Sequence, residues 1–172
     1  FVIYIGGIDL ATQSVASMTT VLVTIWLNSF GIGAAVIALA IGAAFGVLSG
    51  YVSIKTKIPT FIATLAIGGI AYSVARFASG ERGVSMIETE RSYYLGWLFG
   101  YSGPVPNEII CAGVLLLVAL FIERKTVFGR VLKAVGAAEH AAIASGVRVE
   151  RYKIAAFAIC GLLAAFSGLM LS

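Results

Sequence analysis

Charge is scarce in this sequence: only 12% of its 172 residues are Asp, Glu, Lys or Arg, about half the ~25% usual in soluble domains. The 45 residues from Leu10 to Ile54 carry none, more than twice the ~20 apolar residues that a spanning helix needs. An ordinary soluble enzyme is excluded. Histidine is nearly absent too, His140 being the only one. There is no HExxH, no phosphate-cradling GxxxxGK[ST], and no intramembrane base to activate a serine nucleophile. Catalysis and ATP binding by this chain are therefore not expected. The two cysteines, Cys111 and Cys160, stand in apolar runs too far apart for a CxxC or zinc pattern, so no disulfide framework, metal or cofactor is expected. The net charge of +4 sits in two places between apolar runs, which disfavours a nucleic-acid-binding face.

What is present is apolar: 60% hydrophobic residues and a mean hydropathy of +1.01. The expected fold is an all-α integral membrane protein, a polytopic helical bundle with about five spanning helices. The spans are expected at about 10–30, 31–54, 58–78, 106–122 and 154–172, the fourth at the short limit for a helix. Nine of the twelve basic residues occur as Lys55 and Lys57, then Arg124, Lys125, Arg130, Lys133, Arg148, Arg151 and Lys153. The positive-inside rule places both groups on the cytoplasmic side and the acidic, aromatic segment 79–105 outside, and the number of intervening spans agrees. Both ends of the chain fall within apolar runs without an initiating Met or a basic signal-peptide region, as in a piece of a longer protein.

Within the outer segment, Tyr93-Tyr94-Leu95-Gly96-Trp97-Leu98-Phe99-Gly100-Tyr101 reads as an interfacial or re-entrant helix, with a substrate-stacking platform as the alternative. Gly103-Pro104-Val105-Pro106 marks a turn back towards the membrane. In the second span Ala34, Ala38, Gly42, Gly46 and Gly50 form a stripe without bulk that either admits a neighbouring helix closely or lines a pore. Asp9 follows Gly6-Gly7 among apolar residues. It is read as the N-cap of a helix starting at Leu10, either in a broken helix beside a substrate pathway or at the hydrated inner interface. Gln13, Ser14 and Ser17 extend that polar pathway candidate. The loop 123–153 is too long for a tight connection, and Ala137 to Ser145, followed by Gly146, is expected to form a short helix that docks into another protein's groove.

Four stretches carry a resemblance to the permease subunits of bacterial ABC importers of the ribose and branched-chain amino-acid type, within that group to the sugar branch. Gly6-Gly7-Ile8-Asp9-Leu10 is similar to the start of the family's GGIDLSxGS segment. Lys57-Ile58-Pro59-Thr60-Phe61-Ile62-Ala63-Thr64-Leu65 resembles K-x-P-x-F-I-x-T-L. Thr126-Val127-Phe128-Gly129-Arg130, with Ala134 and Gly136, resembles T-x-F-G-R-x-x-x-A-x-G. Glu139, Ala141, Ala142, Ser145 and Gly146 match a relative of the EAA coupling loop. The chain departs from the family at Ala11-Thr12-Gln13, where Ser-x-Gly is usual, and at Ala138, where Asn is common. The resemblance implies a sugar permease with a second permease copy, either identical or different, ATP-binding subunits docked on Gly136 and the Glu139–Gly146 loop, and an extracytoplasmic solute-binding protein. It implies multi-pass placement in the bacterial inner membrane and no nucleic-acid partner. A charge at Ala142 is then expected to abolish docking. The alternatives are an ion-coupled secondary transporter, a branched-chain amino-acid permease of the same family, and a membrane scaffold that carries no solute.

Overall fold

The computed structural model describes residues 1–83 and 88–172, and the side chains of Asn28 and of residues 88–92 lie outside the description. Of the charged residues expected in the outer segment, Glu88, Glu90 and Arg91 therefore fall outside the described side chains. The chain is helical almost throughout. A 3₁₀ turn, Val2–Ile5, precedes α1 (Thr12–Phe30), α2 (Ile32–Thr56), α3 (Thr60–Ser79) and α4 (Glu88–Phe99). A two-stranded ribbon, β1 (Tyr101–Ser102) with β2 (Val105–Pro106), leads into α5 (Asn107–Lys125), α6 (Val127–Ala137), α7 (Glu139–Ala144) and α8 (Val149–Met170).

Helices α2, α3 and α8 are long and apolar enough to cross a membrane. Their surfaces agree, because large apolar side chains such as Val36, Leu65, Phe77 and Leu162 are exposed while most buried positions are small, with Ile67, Phe157 and Leu169 the large exceptions. This inverts the soluble pattern of large apolar residues inside. Helix α5 buries no residue and exposes Ile109, Leu116, Leu117 and Phe121.

Small residues set the packing. Along α2, Gly42, Gly46 and Gly50 lie against Ala165, Phe157 and Ile154 of α8, running antiparallel; a Cβ on Gly42 or Gly46 would collide with the facing helix. Gly161 of α8 reciprocates against Gly42 and Gly46. Lipid is as apolar as leucine, so helices associate through such close contact and not through expulsion of water. Ala34 and Ala38, on the same stripe, are also buried. Helix α1 runs parallel to α8 and to α3, with Gly168 of α8 against Ala16 and Thr19, and Gly68 of α3 against Ala11 and Ser14. The Thr20 hydroxyl donates to the Gly168 carbonyl at 2.7 Å, satisfying a polar group within an apolar surround.

Several helices outrun their apolar segments. The fifth is expected from Ile154 but α8 begins at Val149, since Glu150, Arg151 and Lys153 end the hydropathy without breaking the helix. Helices α2 and α5 likewise run on into Lys55 and into Arg124 and Lys125, where cations suit the negative end of the helix dipole. The aromatic segment is divided: α4 stops at Phe99, and Tyr101 enters β1, closed by Gly103 at φ 68°. Leu95 and Leu98 of α4 are fully buried in the main core beside Leu22, Val23 and Leu27, while Tyr93 and Trp97 stay exposed.

Candidate functional site

Two regions meet at the end of the bundle that carries the basic residues. The first is a collar of short helices. Helix α6 is amphipathic, burying Gly129, Leu132 and Val135 and exposing Arg130 and Lys133. Thr126 starts it as N-cap, its hydroxyl accepting the Gly129 N–H at 3.3 Å. The expected single helix over Ala137 to Ser145 is instead two elements: Ala137 ends α6, Ala138 breaks at φ −157°, and α7 covers Glu139–Ala144. Helix α7 ends in a Schellman turn. Gly146, at φ 80°, donates its N–H to the Ile143 carbonyl at 2.9 Å, and the Val147 N–H reaches the Ala142 carbonyl at 3.1 Å.

That geometry divides the residues of α7 into two faces. Ala142, 8% exposed, packs with Val135 and Val149 beneath the helix. Glu139, His140, Ala141, Ile143 and Ala144 are exposed, Ile143 by 52%, and Ser145 turns its hydroxyl back to the Ala141 carbonyl at 2.9 Å. Lys153 of α8 holds Glu139 at 2.7 Å. Ala142 faces this chain's own fold, so the expected effect of a charge there on docking would act through the seating of α7.

Glycine at two positions lets backbones touch. A Cβ on Gly129 would strike the Glu123 backbone, and one on Gly136 would strike the Tyr4 carbonyl oxygen. Gly136 therefore seats the 3₁₀ turn against α6, and this explains its place in the sequence pattern. The Tyr4 hydroxyl donates to Glu123 Oε1 at 2.7 Å, and Lys133 Nζ approaches the same oxygen at 2.9 Å while lying 5.4 Å from the Tyr4 ring centroid. The Lys133 hydrogen bond, then that from Tyr4, holds the Glu123 carboxyl below its ordinary value, and the Glu123 bond pushes the Tyr4 phenol above its own. Phe128 joins the collar to Phe1 and Tyr152, each with ring centroids at 6.0 Å.

The second region is the turn at Asp9. The helix that follows starts at Thr12 with Ala11 as N-cap and no side-chain cap bond, so Asp9 is not the N-cap of a helix from Leu10. Its Oδ1 accepts the Ala11 N–H at 2.9 Å, an Asx turn two residues before the helix. The irregular backbone before it is satisfied from α3. Thr60 Oγ1 accepts the Ile8 N–H at 2.9 Å, Thr64 Oγ1 accepts the Leu10 N–H at 3.0 Å, and the Thr64 hydroxyl lies 3.4 Å from the Ile8 carbonyl. Non-helical backbone in an apolar setting requires such partners. Thr60 and Thr64 were missed as site residues, although their spacing of four places both on one helical face.

Of the other pathway candidates, Ser14 faces Gly68 of α3, whereas Gln13 is exposed and Ser17 is half-buried. Gln13 and Ser17, one turn apart, share a face of α1, while Gly168 of α8 meets α1 at Ala16, Thr19 and Thr20. Between the two regions opens a cavity of about 920 Å³ lined by Lys57, Arg148, Arg151 and Lys153 together with Glu139 and Glu150. Both basic groups of the sequence thus reach one cavity. Lys57, at φ 54°, terminates α2 in a left-handed conformation two residues before Pro59.

Among the described residues, no group of three or more His, Cys, Asp or Glu side chains is placed to hold a metal ion, and the arrangement is one of packing and hydrogen bonding. Comparison with known proteins is consistent with this. The family described as branched-chain amino acid transport system / permease component matches residues 1–172. The ribose import permease protein RbsC of Escherichia coli (strain K12) is 34% identical over 175 residues, covering 98% of this chain and 54% of the relative. The L-arabinose ABC transporter permease protein AraH of Azospirillum brasilense is 32% identical over 179 residues, covering 100% of this chain and 50% of the relative. The L-arabinose transport system permease protein AraH of Escherichia coli (strain K12) is 36% identical, covering 97% and 51%. No solved structure matches. The chain spans about half the length of the curated relatives it matches. With a helical, lipid-suited fold and a family match along its full length, this chain belongs to the permease component family of branched-chain amino acid transport systems.

Proposed function

We propose that the chain is part of the membrane-spanning permease subunit of an ATP-binding-cassette importer that carries a monosaccharide such as ribose across the bacterial cytoplasmic membrane. ATP is hydrolysed on separate ATP-binding subunits at the inner face. A solute-binding protein delivers the sugar outside, and a second permease copy completes the pathway. The basic end of the bundle faces the cytoplasm. The sugars named for the relatives support the substrate class.

One observation carries this reading: α7 is held from beneath by Ala142 and at its side by the Glu139–Lys153 ion pair, and it leaves Ala141, Ile143 and Ala144 exposed, Ile143 towards the open cavity. A six-residue helix has too few internal hydrogen bonds to persist by itself. Its fixed, small and apolar outer face suits a groove on another protein. Asp9, Gln13 and Ser17 are the proposed polar edge of the pathway, with Ser14 serving to pack α1 on α3.

The test is ATP-driven sugar uptake by the complete transporter in proteoliposomes. Ile143→Asp should lower uptake and recovery of the ATP-binding subunit about tenfold, the scale of losing one interface hot spot, with membrane insertion unchanged. Normal uptake by that variant would overturn the proposal. Uptake should persist when an uncoupler is added at constant ATP; its collapse would favour an ion-coupled transporter.

A further inference from the structure

The 3₁₀ turn Val2–Ile5 is bonded unequally at its two ends. On one side it belongs to the collar. The Tyr4 backbone carbonyl lies against Gly136 of α6, the Tyr4 hydroxyl is tied to Glu123, and Lys133 lies over its ring. Ile5 packs into the apolar cluster of Val135, Ala142 and Val149, which also seats α7. On the other side the chain passes through Gly6, at φ 71° with open space around it, and Gly7. It then reaches the Asp9 turn, held on α3 through the Thr60 and Thr64 hydroxyls.

Four chain steps, through Gly6, Gly7 and Ile8, lead from Ile5 to Asp9, a reach of at most about 14 Å when fully extended. No long linker is available to absorb a displacement of the collar. Gly6 and Gly7 donate their N–H groups to the Ile3 and Val2 carbonyls at 3.0 and 3.1 Å, and Gly7 is buried against Val2 and Thr60, so the link is bonded to the turn and moves with it, while the pair of hydroxyl bonds to α3 beyond it is the attachment that can exchange.

We infer that Val2–Ile5 is a connecting rod: when α7 is moved by its partner, α6, α7 and the 3₁₀ turn shift as one body, and the turn carries that motion through Gly6-Gly7 to Asp9 and the start of α1. Tyr4 and Ile5 are positioning residues in this device and touch no solute. The coupling route is then local, from α7 through its contact with Ile5 and four steps of chain to Asp9. This rests on the importer reading above, in which α7 is the docking helix.

Two measurements on the complete transporter test it. In a background with Cys111 and Cys160 replaced by Ser, spin labels are placed in pairs at the exposed positions Ile3, Ala134 on α6 and Leu65 on α3. Between the nucleotide-free and ATP-trapped states, the Ile3→Cys to Ala134→Cys distance should stay constant while Ile3→Cys to Leu65→Cys shifts. A constant Ile3–Leu65 distance, or a shift between Ile3 and Ala134, overturns the rod. Separately, Ile5→Gly should lower the sugar moved per ATP hydrolysed about tenfold, within the usual range of coupling between sites, while hydrolysis and subunit recovery persist. A merely structural Ile5 would lower uptake and hydrolysis together at unchanged stoichiometry, and that result would sink the inference. If the unaltered transporter shows no ATP-driven sugar uptake, the importer reading fails first, a result distinct from either of these.

Discussion

At Gly136 a single hydrogen atom in place of a methyl group decides whether two backbones can touch, since a Cβ there would strike the Tyr4 carbonyl oxygen. Neither partner is a flexible side-chain end, so Gly136→Ala should destabilise the protein by about 1–3 kcal/mol, the usual cost of overpacking, read as a lower unfolding temperature in detergent. Gly69→Ala is the control. Nothing lies within 4 Å of a Cβ at that position in α3, and the change should raise stability by about 0.5–1 kcal/mol through the lower backbone entropy of alanine. Thr64→Val keeps the shape but removes the acceptor for the Leu10 N–H. The orphaned donor should cost about 1–3 kcal/mol, measured by the same melt.

Glu123 supplies a pH dependence at this scale. Its carboxyl ionises more readily in the fold than at its ordinary value of 4.5, chiefly through Lys133 and then Tyr4. Its contribution is therefore complete above that value and is lost as pH falls through the lower folded value. Tyr4 has the opposite sign: its phenol is raised above 10.0 by Glu123, so its contribution is complete below 10 and is lost as pH rises through the raised value. The 3₁₀ turn should stay docked across the neutral range. A spin label at Ile3 should become mobile in acid, below pH 4.5, and Glu123→Gln should remove that acid transition.

Among the elements, legibility followed hydropathy. The expected apolar runs lie on helices α1, α2, α3, α5 and α8, of which α2, α3 and α8 are long and apolar enough to cross a membrane, because an uninterrupted apolar run of this length has few folded alternatives to a helix. The errors are at the charged flanks, where hydropathy stops and the helix continues. Helix α6 was not anticipated as an element, although Thr126 as N-cap and buried Gly129, Leu132 and Val135 at spacings of three form an amphipathic pattern. Its neighbour α7 was expected, but two residues too long at its start, since Ala137 and Ala138 are good helix formers by propensity and only the fold breaks the chain there. The small-residue stripe left open whether α2 meets a helix or lines a pore. Here it meets α8, and Gly46→Leu should force the two apart, lowering the unfolding temperature more than Gly69→Ala raises it.

For the molecule as a whole, the paired groups that matter are distant in sequence. Thr60 and Thr64 serve Ile8 and Leu10, and Tyr4 meets Glu123 across 119 positions. No local pattern announces such pairs. Asp9, Gln13, Ser14 and Ser17 were legible as polar residues in an apolar run, but their separation into a turn residue, a packing residue facing α3, an exposed Gln13 and a half-buried Ser17 required the positions of the neighbouring helices. Ala142 makes the same point for the collar. Its match to a coupling pattern invited a docking role, while burial against Val135 and Val149 assigns outward contact to Ala141, Ile143 and Ala144. The uptake assay with Ile143→Asp therefore tests the docking surface, and Ala142→Asp tests the seat beneath it.

Composition and hydropathy alone determined that this chain is helical and membrane-embedded, because lipid leaves the backbone almost no other way to satisfy its hydrogen bonds. The scarcity of charge, with which the sequence is first read, set the class and placed the basic residues where they could gather at one end. Tertiary structure decided which small residues touch, which hydroxyls complete the broken backbone at Asp9, and which face of α7 is free. Those outcomes depend on contacts at a few ångströms between residues far apart in the chain, and hydropathy does not encode them.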